Sequence, residues 1–428
     1  MRVLCTGDIH LGRPISQIPS SSHLAGLSSS AAWRAIVDLA VDEQVDLVAV
    51  SGDLVDLANR YYEAIGAVEA GVRRLAAAGI PIVAVAGNHD YSVLPRIVDR
   101  LDGAIQLIGR DQQWQRWSLV RDGKPLLHVD GWSFRQEHVS HDPLESYNLP
   151  QSHDAPVLGL LHADLDGQEL RYAPVRLRRL QQLPVSAWLL GHIHVPRLQR
   201  LAGAPPVLYP GSPYALDPGE TGMHGVWMLT IEPGAEPHFE QRAIAPVRYE
   251  PLAVDVTDAE SQVEATDRIE RSIEIALRTA KESSNGAHLE LLLVRLLVTG
   301  SLPVSVTLDA SEMDQMQRSF NPTFDGATAA IERIADLTTP AIELEALATG
   351  IDAPATIARL ILLLQPESVD PAKAAIVAEA RKRAQTIARQ SAFQRIDDPL
   401  PDDDALAATI EHEAWSLLRT LLAQKGAA

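Results

Sequence analysis

Short apolar runs that stop abruptly at polar, ligand-type residues recur from the N-terminus to residue 194. Arg2 to Thr6 leads into Gly7-Asp8-Ile9-His10, and Val45 to Val50 leads into Ser51-Gly52-Asp53. Ile80 to Ala86, with an early Pro81, leads into Gly87-Asn88-His89-Asp90. Pro156 to Leu161 stops at His162, and Ala187 to Leu190 stops at Gly191-His192-Ile193-His194. Apolar runs of this length bounded by turn residues are buried strands. Trp33, Ile36, Val37, Ala40 and Val41 recur at helical spacing and predict a helix over 31–44, and a second is expected over 61–78. Strands alternating with helices imply parallel pairing. In open α/β sheets, ligands gather at the carboxyl ends of the strands.

Beyond Arg100 the runs shorten. Strands are expected over 104–108, 115–121 and 126–132, with Arg121-Asp122-Gly123-Lys124 as a hairpin turn. A basic helix is read over Arg171 to Gln182, and two last strands over 206–209 and 225–231, separated by a Pro- and Gly-rich loop. Ser16 to Ser30 reads as a surface loop. After Tyr249 the pattern changes again. Strands are expected over 252–256, 289–299 and 303–308, with a helix over 263–281 between the first two. Helices are expected over 328–337, 353–364 and 371–392. An acidic linker, 397–404, then precedes an amphipathic helix over 405–423.

A chain of 428 residues exceeds the usual single domain. With 46% hydrophobic and 22% charged residues it can bury a full core. No apolar run reaches the roughly 18 residues of a membrane span, and the chain starts on a strand without a secretory leader. Cys5 is the single cysteine, read as a small buried strand residue, which makes a reducing cytoplasm the simplest home. The formal charge is −19: residues 1–250 hold 21 basic and 28 acidic side chains, and residues 251–428 hold 16 and 28. Such a balance is adverse for nucleic-acid binding, so any DNA groove must be local.

The chemistry lies in Asp8, His10, Asp53, Asn88, His162, His192 and His194. Oxygen and nitrogen donors without a thiolate suit ions such as Mn²⁺, Fe²⁺, Zn²⁺ or Co²⁺. Seven are too many for one tetrahedral zinc, which takes about four. Two ions sharing a carboxylate fit the count, an arrangement that ions roughly 3.5–4 Å apart use to clamp a phosphoryl centre. His89, beside a ligand but not needed as one, is free to protonate a leaving oxygen.

Asp8-x-His10, Gly52-Asp53, Gly87-Asn88-His89-Asp90, His162 and Gly191-His192-x-His194 resemble, in order and type, the calcineurin-like metallophosphoesterases. The opening Asp8-Ile9-His10-Leu11-Gly12 and the loop Tyr209-Pro-Gly-Ser through Asp217-Pro-Gly-Glu-Thr-Gly222 look like SbcD-type DNA-repair exonucleases. The resemblance implies an α/β fold with a two-sheet αββα core over 1–245, a small α/β capping domain over 250–315 and a helical C-terminal region over 320–428. It implies two Mn²⁺ ions, one on Asp8, His10, Asp53 and His194 and the other on Asp53, Asn88, His162 and His192, with His89 assisting from beside them. It further implies DNA ends as substrate, an SbcC-type coiled-coil ATPase as partner and room for a homodimer. The rival activity is a phosphatase or phosphodiesterase acting on a protein, lipid or small nucleotide. Relatives carry a histidine where this chain has Asp56, which bears on endonuclease action. No Gly-rich lysine-containing phosphate loop occurs, so ATP dependence would belong to the partner. Leu406, Ile410, Trp415, Leu418 and Leu422 on the last helix are read as a partner-docking face or as intramolecular packing on the capping domain.

Overall fold

The computed structural model describes residues 1–13, 28–56, 61–167, 171–283, 289–388 and 401–426. Most of the Ser-rich stretch and part of the acidic linker lie outside them. The chain divides into two compact units, one of Met1–Pro251, Ala276–Val294 and Asn321–Glu332, the other of Leu252–Ile275, Arg295–Phe320 and Arg333–Ala428. Among the described residues no helix is long and apolar enough to cross a membrane.

In the first unit, strands β1 (Arg2–Thr6), β2 (Leu47–Val50), β3 (Ile82–Ala84) and β4 (Ile105–Leu107) run parallel. Helices α1 (Ser29–Asp42), α2 (Tyr61–Ala77) and α3 (Leu94–Arg100) connect them. A second sheet is built from β5 (Gln115–Arg121), β6 (Lys124–Trp132), β7 (Val157–His162), β8 (Ala187–Gly191), β9 (Arg197–Gln199) and β10 (Val207–Tyr209), with a short helix α4 (Leu177–Leu180) before β8. Strands β11 (Gly225–Thr230) and β12 (His238–Ala243) return antiparallel to the edge of the first sheet, giving the orders β12-β11-β1-β2-β3-β4 and β5-β6-β7-β8-β10-β9.

Period-2 alternation builds the layers. Val3, Cys5, Leu47, Ala49, Val83 and Val85 join Leu158, Leu160, Ala187 and Leu189 in one buried cluster between the sheets. Their neighbours on the opposite face, Leu4, Val48, Val50, Ile82 and Ala84, pack under α1, α2 and α3. Strands buried on both faces read as continuous apolar runs, which is why they were legible.

Three expected elements differ. Residues 328–337 are not helical: strand Ala327–Asp336 alternates buried Ala327, Ala329 and Ile331 with more exposed residues. It pairs back onto Thr323–Phe324 through an Asp325-Gly326 turn whose φ angles are +45° and +77°. Ala, Glu and Arg favour a helix locally, but sheet pairing overrides that weak preference. The basic helix over 171–182 shrinks to α4, because Ala173 takes φ +50° and Pro174 follows it. Of the strand expected over 303–308, only the preceding Ser301–Leu302 pairs; Asp309 then caps a helix over Ala310–Ser319.

In the second unit, the last helix, Asp403–Gly426, lays Ala414 and Leu418 against Leu344, Ala358 and Ile361. Leu406 meets Val377, while Trp415 and Leu422 are part-buried. The apolar face is thus occupied by helices Ala353–Leu364 and Pro371–Ala388 of the same chain. Arg419 holds Asp336 at 3.1 Å.

Candidate metal centre

In-register parallel pairing brings the strand ends to one edge. Thr6 lies opposite Val50, Val50 opposite Ala84, and His162 opposite Gly191. The chain then turns sharply at the ligand residues: Asp8, His10, Asp53 and His192 have φ of +49°, +48°, +50° and +101°. Left-handed backbone is costly for residues with a Cβ and persists where the surroundings enforce it. Here they do. The His10 amide donates to Asp53 O at 2.9 Å, the Asp8 amide to Gly52 O at 3.1 Å, and the His192 amide to Asp8 Oδ1 at 3.0 Å. Glycine is required where segments meet most closely. A Cβ on Gly87 would stand 2.2 Å from Asp53 Oδ1, and one on Gly191 2.1 Å from Ser51 O.

The side chains converge in three groups whose ligand atoms lie within 4.8 Å of one another: Asp8, His10 and His194; Asp8, Asp53 and His162; and His10, Asp53 and His89. Asn88 Oδ1 stands 2.8 Å from His162 Nε2. The His192 ring packs 5.4 Å from that of His162, outside those groups. Five of the seven expected ligands fall in these groups, Asn88 and His192 lie against His162, and Asp8, His10 and Asp53 are each common to two of the groups.

Hydrogen bonding tells what the pocket wants. His162 Nδ1 donates to Ser51 O at 3.0 Å, which leaves Nε2 a lone pair aimed at the Asn88 oxygen. His194 Nδ1 donates to Glu220 Oε1 at 2.7 Å, and its Nε2 meets His10 Nε2 at 3.1 Å. Both contacts bring ring nitrogens and an amide oxygen, all able to offer a lone pair, to within hydrogen-bond distance of one another, as metal ligands require. Buried Asp8 and Asp53 supply the compensating negative charge. The donor set fits a pair of divalent cations.

Electrostatics agree. Burial raises the Asp53 carboxyl, but the His162, His10 and His89 charges outweigh it and hold it below the usual range. Burial raises Asp8. Burial and the adjacent His162 drop His192 to about 3, leaving a neutral ring able to ligate. Burial opposes charge on His194, yet the hydrogen bond to Glu220 and the Asp8 charge raise it to about 9.

His89 is the exposed member, its side chain 43% accessible, with its amide bonded to Asp53 Oδ1 at 2.9 Å. Burial lowers its pKa, opposed by the Asp53 charge. Asp90 braces the backbone rather than the His89 ring, accepting from Gly87 N at 2.7 Å and Leu54 N at 2.8 Å. Two groups that the sequence reading did not connect to the ligands support them. Asp56 Oδ2 lies 3.3 Å from His10 Nδ1 and 3.9 Å from His89 Nδ1. Glu220, inside the Pro- and Gly-rich loop, binds His194, Ser212 Oγ at 2.7 Å and Leu216 N at 2.8 Å. Only the unusual composition of that loop signalled it. His224 bonds Ser212 O at 2.8 Å, two steps from the ligands.

Two stacked sheets whose strand ends gather oxygen and nitrogen donors into groups able to hold divalent cations are the arrangement expected of a metallophosphoesterase. Residues 1–196 match the family model described as calcineurin-like phosphoesterase. Over 310 residues the chain is 29% identical to an uncharacterized metallophosphoesterase, YhaO, of Bacillus subtilis (strain 168), covering 69% of this chain and 71% of that protein. Among solved structures it is similar to a dimetal phosphatase from Danio rerio, with 16% identity, a TM-score of 0.37, and 56% of this chain and 98% of that one covered. It is also similar to the calcineurin-like phosphoesterase YfkN from Bacillus subtilis, with 13% identity, a TM-score of 0.32, and 67% and 98% covered.

Proposed function

We propose that this metallophosphoesterase is a two-manganese phosphodiesterase that trims DNA ends in the manner of SbcD-type exonucleases, working with an SbcC-type ATPase. The observation that carries phosphoester hydrolysis is the clustering of Asp8, His10, Asp53, His162 and His194, with the part-exposed His89 within 4.8 Å of His10 and Asp53. Divalent ions held by Asp8, His10, Asp53, Asn88, His162, His192 and His194 would supply Lewis-acid charge to the phosphoryl oxygens and lower the pKa of water. The chain's own groups do the rest. Asp53 fixes the His89 backbone, and Asp56 faces the His89 ring from behind. Burial disfavours the acid form of His89, while an anionic phosphate beside it favours that form, so protonation is coupled to substrate arrival. His89 then gives its proton to the leaving oxygen.

The DNA assignment rests on the loop resemblance at 209–222 and on a local charge reversal. Residues 171–200 carry six arginines and no acidic side chain in a chain of −19 overall. The overall charge favours the second reading, a phosphatase or phosphodiesterase for small esters. Incubating the manganese-loaded protein with end-labelled DNA and, separately, with p-nitrophenyl phosphate decides between them. Release of nucleotides supports the nuclease; turnover of the monoester alone defeats it.

A further inference from the structure

His224 is buried one residue before β11, whose Trp227 pairs with Cys5 of β1. Its Nδ1 donates to Ser212 O at 2.8 Å and lies 3.2 Å from Ser212 Oγ. Ser212, itself fully buried, belongs to the loop that follows β10. Strand β1 of the first sheet leads into Asp8 and His10, and β8 of the second leads into His192 and His194. The bond from His224 to Ser212 therefore ties a segment of one ligand-bearing sheet to a segment of the other.

Ser212 grips His194 twice. Its amide donates to His194 O at 2.8 Å, and its hydroxyl donates to Glu220 Oε2 at 2.7 Å, the carboxylate whose Oε1 accepts from His194 Nδ1. Gly211, at φ +75°, permits that close approach: a Cβ there would stand 2.5 Å from His194 O. On the other side of the tie, a Cβ on Gly225 would stand 2.0 Å from Arg242 O of β12, so the start of β11 has no slack. At the end of this chain of contacts, His194 Nε2 meets His10 Nε2 at 3.1 Å.

The tautomer of His224 follows from its partner. Burial lowers its pKa and favours the neutral ring. A carbonyl oxygen only accepts, so the single ring proton sits on Nδ1 and Nε2 keeps a bare lone pair. That Nε2 is buried and has no hydrogen-bond partner. A buried acceptor without a donor is costly, so an apolar side chain of similar size would fill the space better. What the imidazole supplies and a leucine does not is the Nδ1 donor. We propose that His224 is a positioning residue for the metal centre: it fixes Ser212, Ser212 fixes the Glu220–His194 pair, and that pair sets the spacing between His194 and His10. Metal affinity then depends on a side chain that touches no ligand side chain. The inference rests on the metal-centre reading and holds whichever phosphoester is the substrate.

Titration calorimetry with Mn²⁺ on the full-length, metal-free protein reads this without turnover. His224→Leu weakens binding about 10-fold, the low end for loss of a group that supports a metal ligand. Its melting temperature in chelator stays close to that of wild type. His224→Asn, whose side-chain amide can donate from the place of Nδ1, restores most of the affinity. Because His224 acts through Ser212 and Glu220, His224→Leu combined with Glu220→Gln binds no more weakly than Glu220→Gln alone, whereas independent effects would multiply. Unchanged affinity in His224→Leu, whatever its melting temperature, overturns the inference. So does a loss that His224→Asn shares in full, or losses that multiply in the double variant. If His224→Leu does not fold, His224→Asn is set against His224→Gln, whose amide lies nearer the place of Nε2. Weaker binding by the Gln variant alone supports the inference, and equal affinity in the two overturns it. Wild-type protein that binds no Mn²⁺ defeats the metal centre itself, and the positioning role with it.

Discussion

His194 Nδ1 and Glu220 Oε1 stand 2.7 Å apart, joining a ligand at the end of one sheet to a carboxylate in the loop between β10 and β11. Glu220 is held in turn by Ser212 and the Leu216 amide, so the ring of His194 has one orientation available. Its far nitrogen faces His10, where a cation belongs.

Glu220→Gln is expected to weaken metal binding about 10- to 100-fold, with the fold kept. Titration calorimetry with Mn²⁺ checks it. In buffers of different ionisation enthalpy at pH 8, wild-type binding releases about one proton, because His194 carries one until the ion displaces it. The Gln variant releases less.

The same pair sets a pH dependence for metal-free protein. His194 is raised from its ordinary 6.5 to about 9, so its contribution is complete below pH 6.5 and lost as the pH rises through 9. Glu220 is lowered from 4.5 to about 2 despite burial, chiefly by the His194 hydrogen bond, so its contribution is complete above pH 4.5 and lost as the pH falls through 2. The melting temperature in chelator should therefore fall between pH 7 and 10, and Glu220→Gln should flatten that fall.

His89→Ala is expected to retain both metals and lose turnover by about 10²- to 10⁴-fold. Metal content by mass spectrometry beside steady-state rates is the check. Because a His89 ring nitrogen lies within 4.8 Å of ligand atoms on His10 and Asp53, depleted metal in this variant would reassign it as a ligand.

Gly87→Ala places a methyl 2.2 Å from Asp53 Oδ1, a buried carboxylate with no room to retreat. Loss of metal and of activity together is expected. In wild-type protein, a divalent ion at about 100 times its Kd should add about 2.7 kcal/mol of stability, read as a rise in urea midpoint; Gly87→Ala should show little of that rise.

Leu418 is fully buried between the helices of the second unit, so Leu418→Ala should cost about 2–5 kcal/mol there. Denaturation followed by circular dichroism measures it.

How far the sequence could be read depended on the range of the interactions. Each strand that ends near a candidate ligand was visible because burial on both faces demands an uninterrupted apolar run, and the turn that breaks the run carries the candidate ligand. The helix over 353–364 was visible for a similar local reason. Strand Ala327–Asp336 was misread because Ala, Glu and Arg say helix, while its true signal, the Asp325-Gly326 turn, lies outside the segment. Tyr172 was placed on a helix that Ala173 and Pro174 do not allow.

By itself, the order of residues determined the sandwich of strands and helices and the seven donors at their ends, since both follow from patterns a few residues long. Folding alone decided which carboxylate serves which histidine. Glu220 reaches His194 from 26 positions away, Asp56 lies beside His10 from 46, and Tyr172 leans on His192 across α4 and β8. Hydrogen bonds and ring contacts depend on separations of a few ångströms in space, and no local pattern encodes those between segments so far apart in the chain.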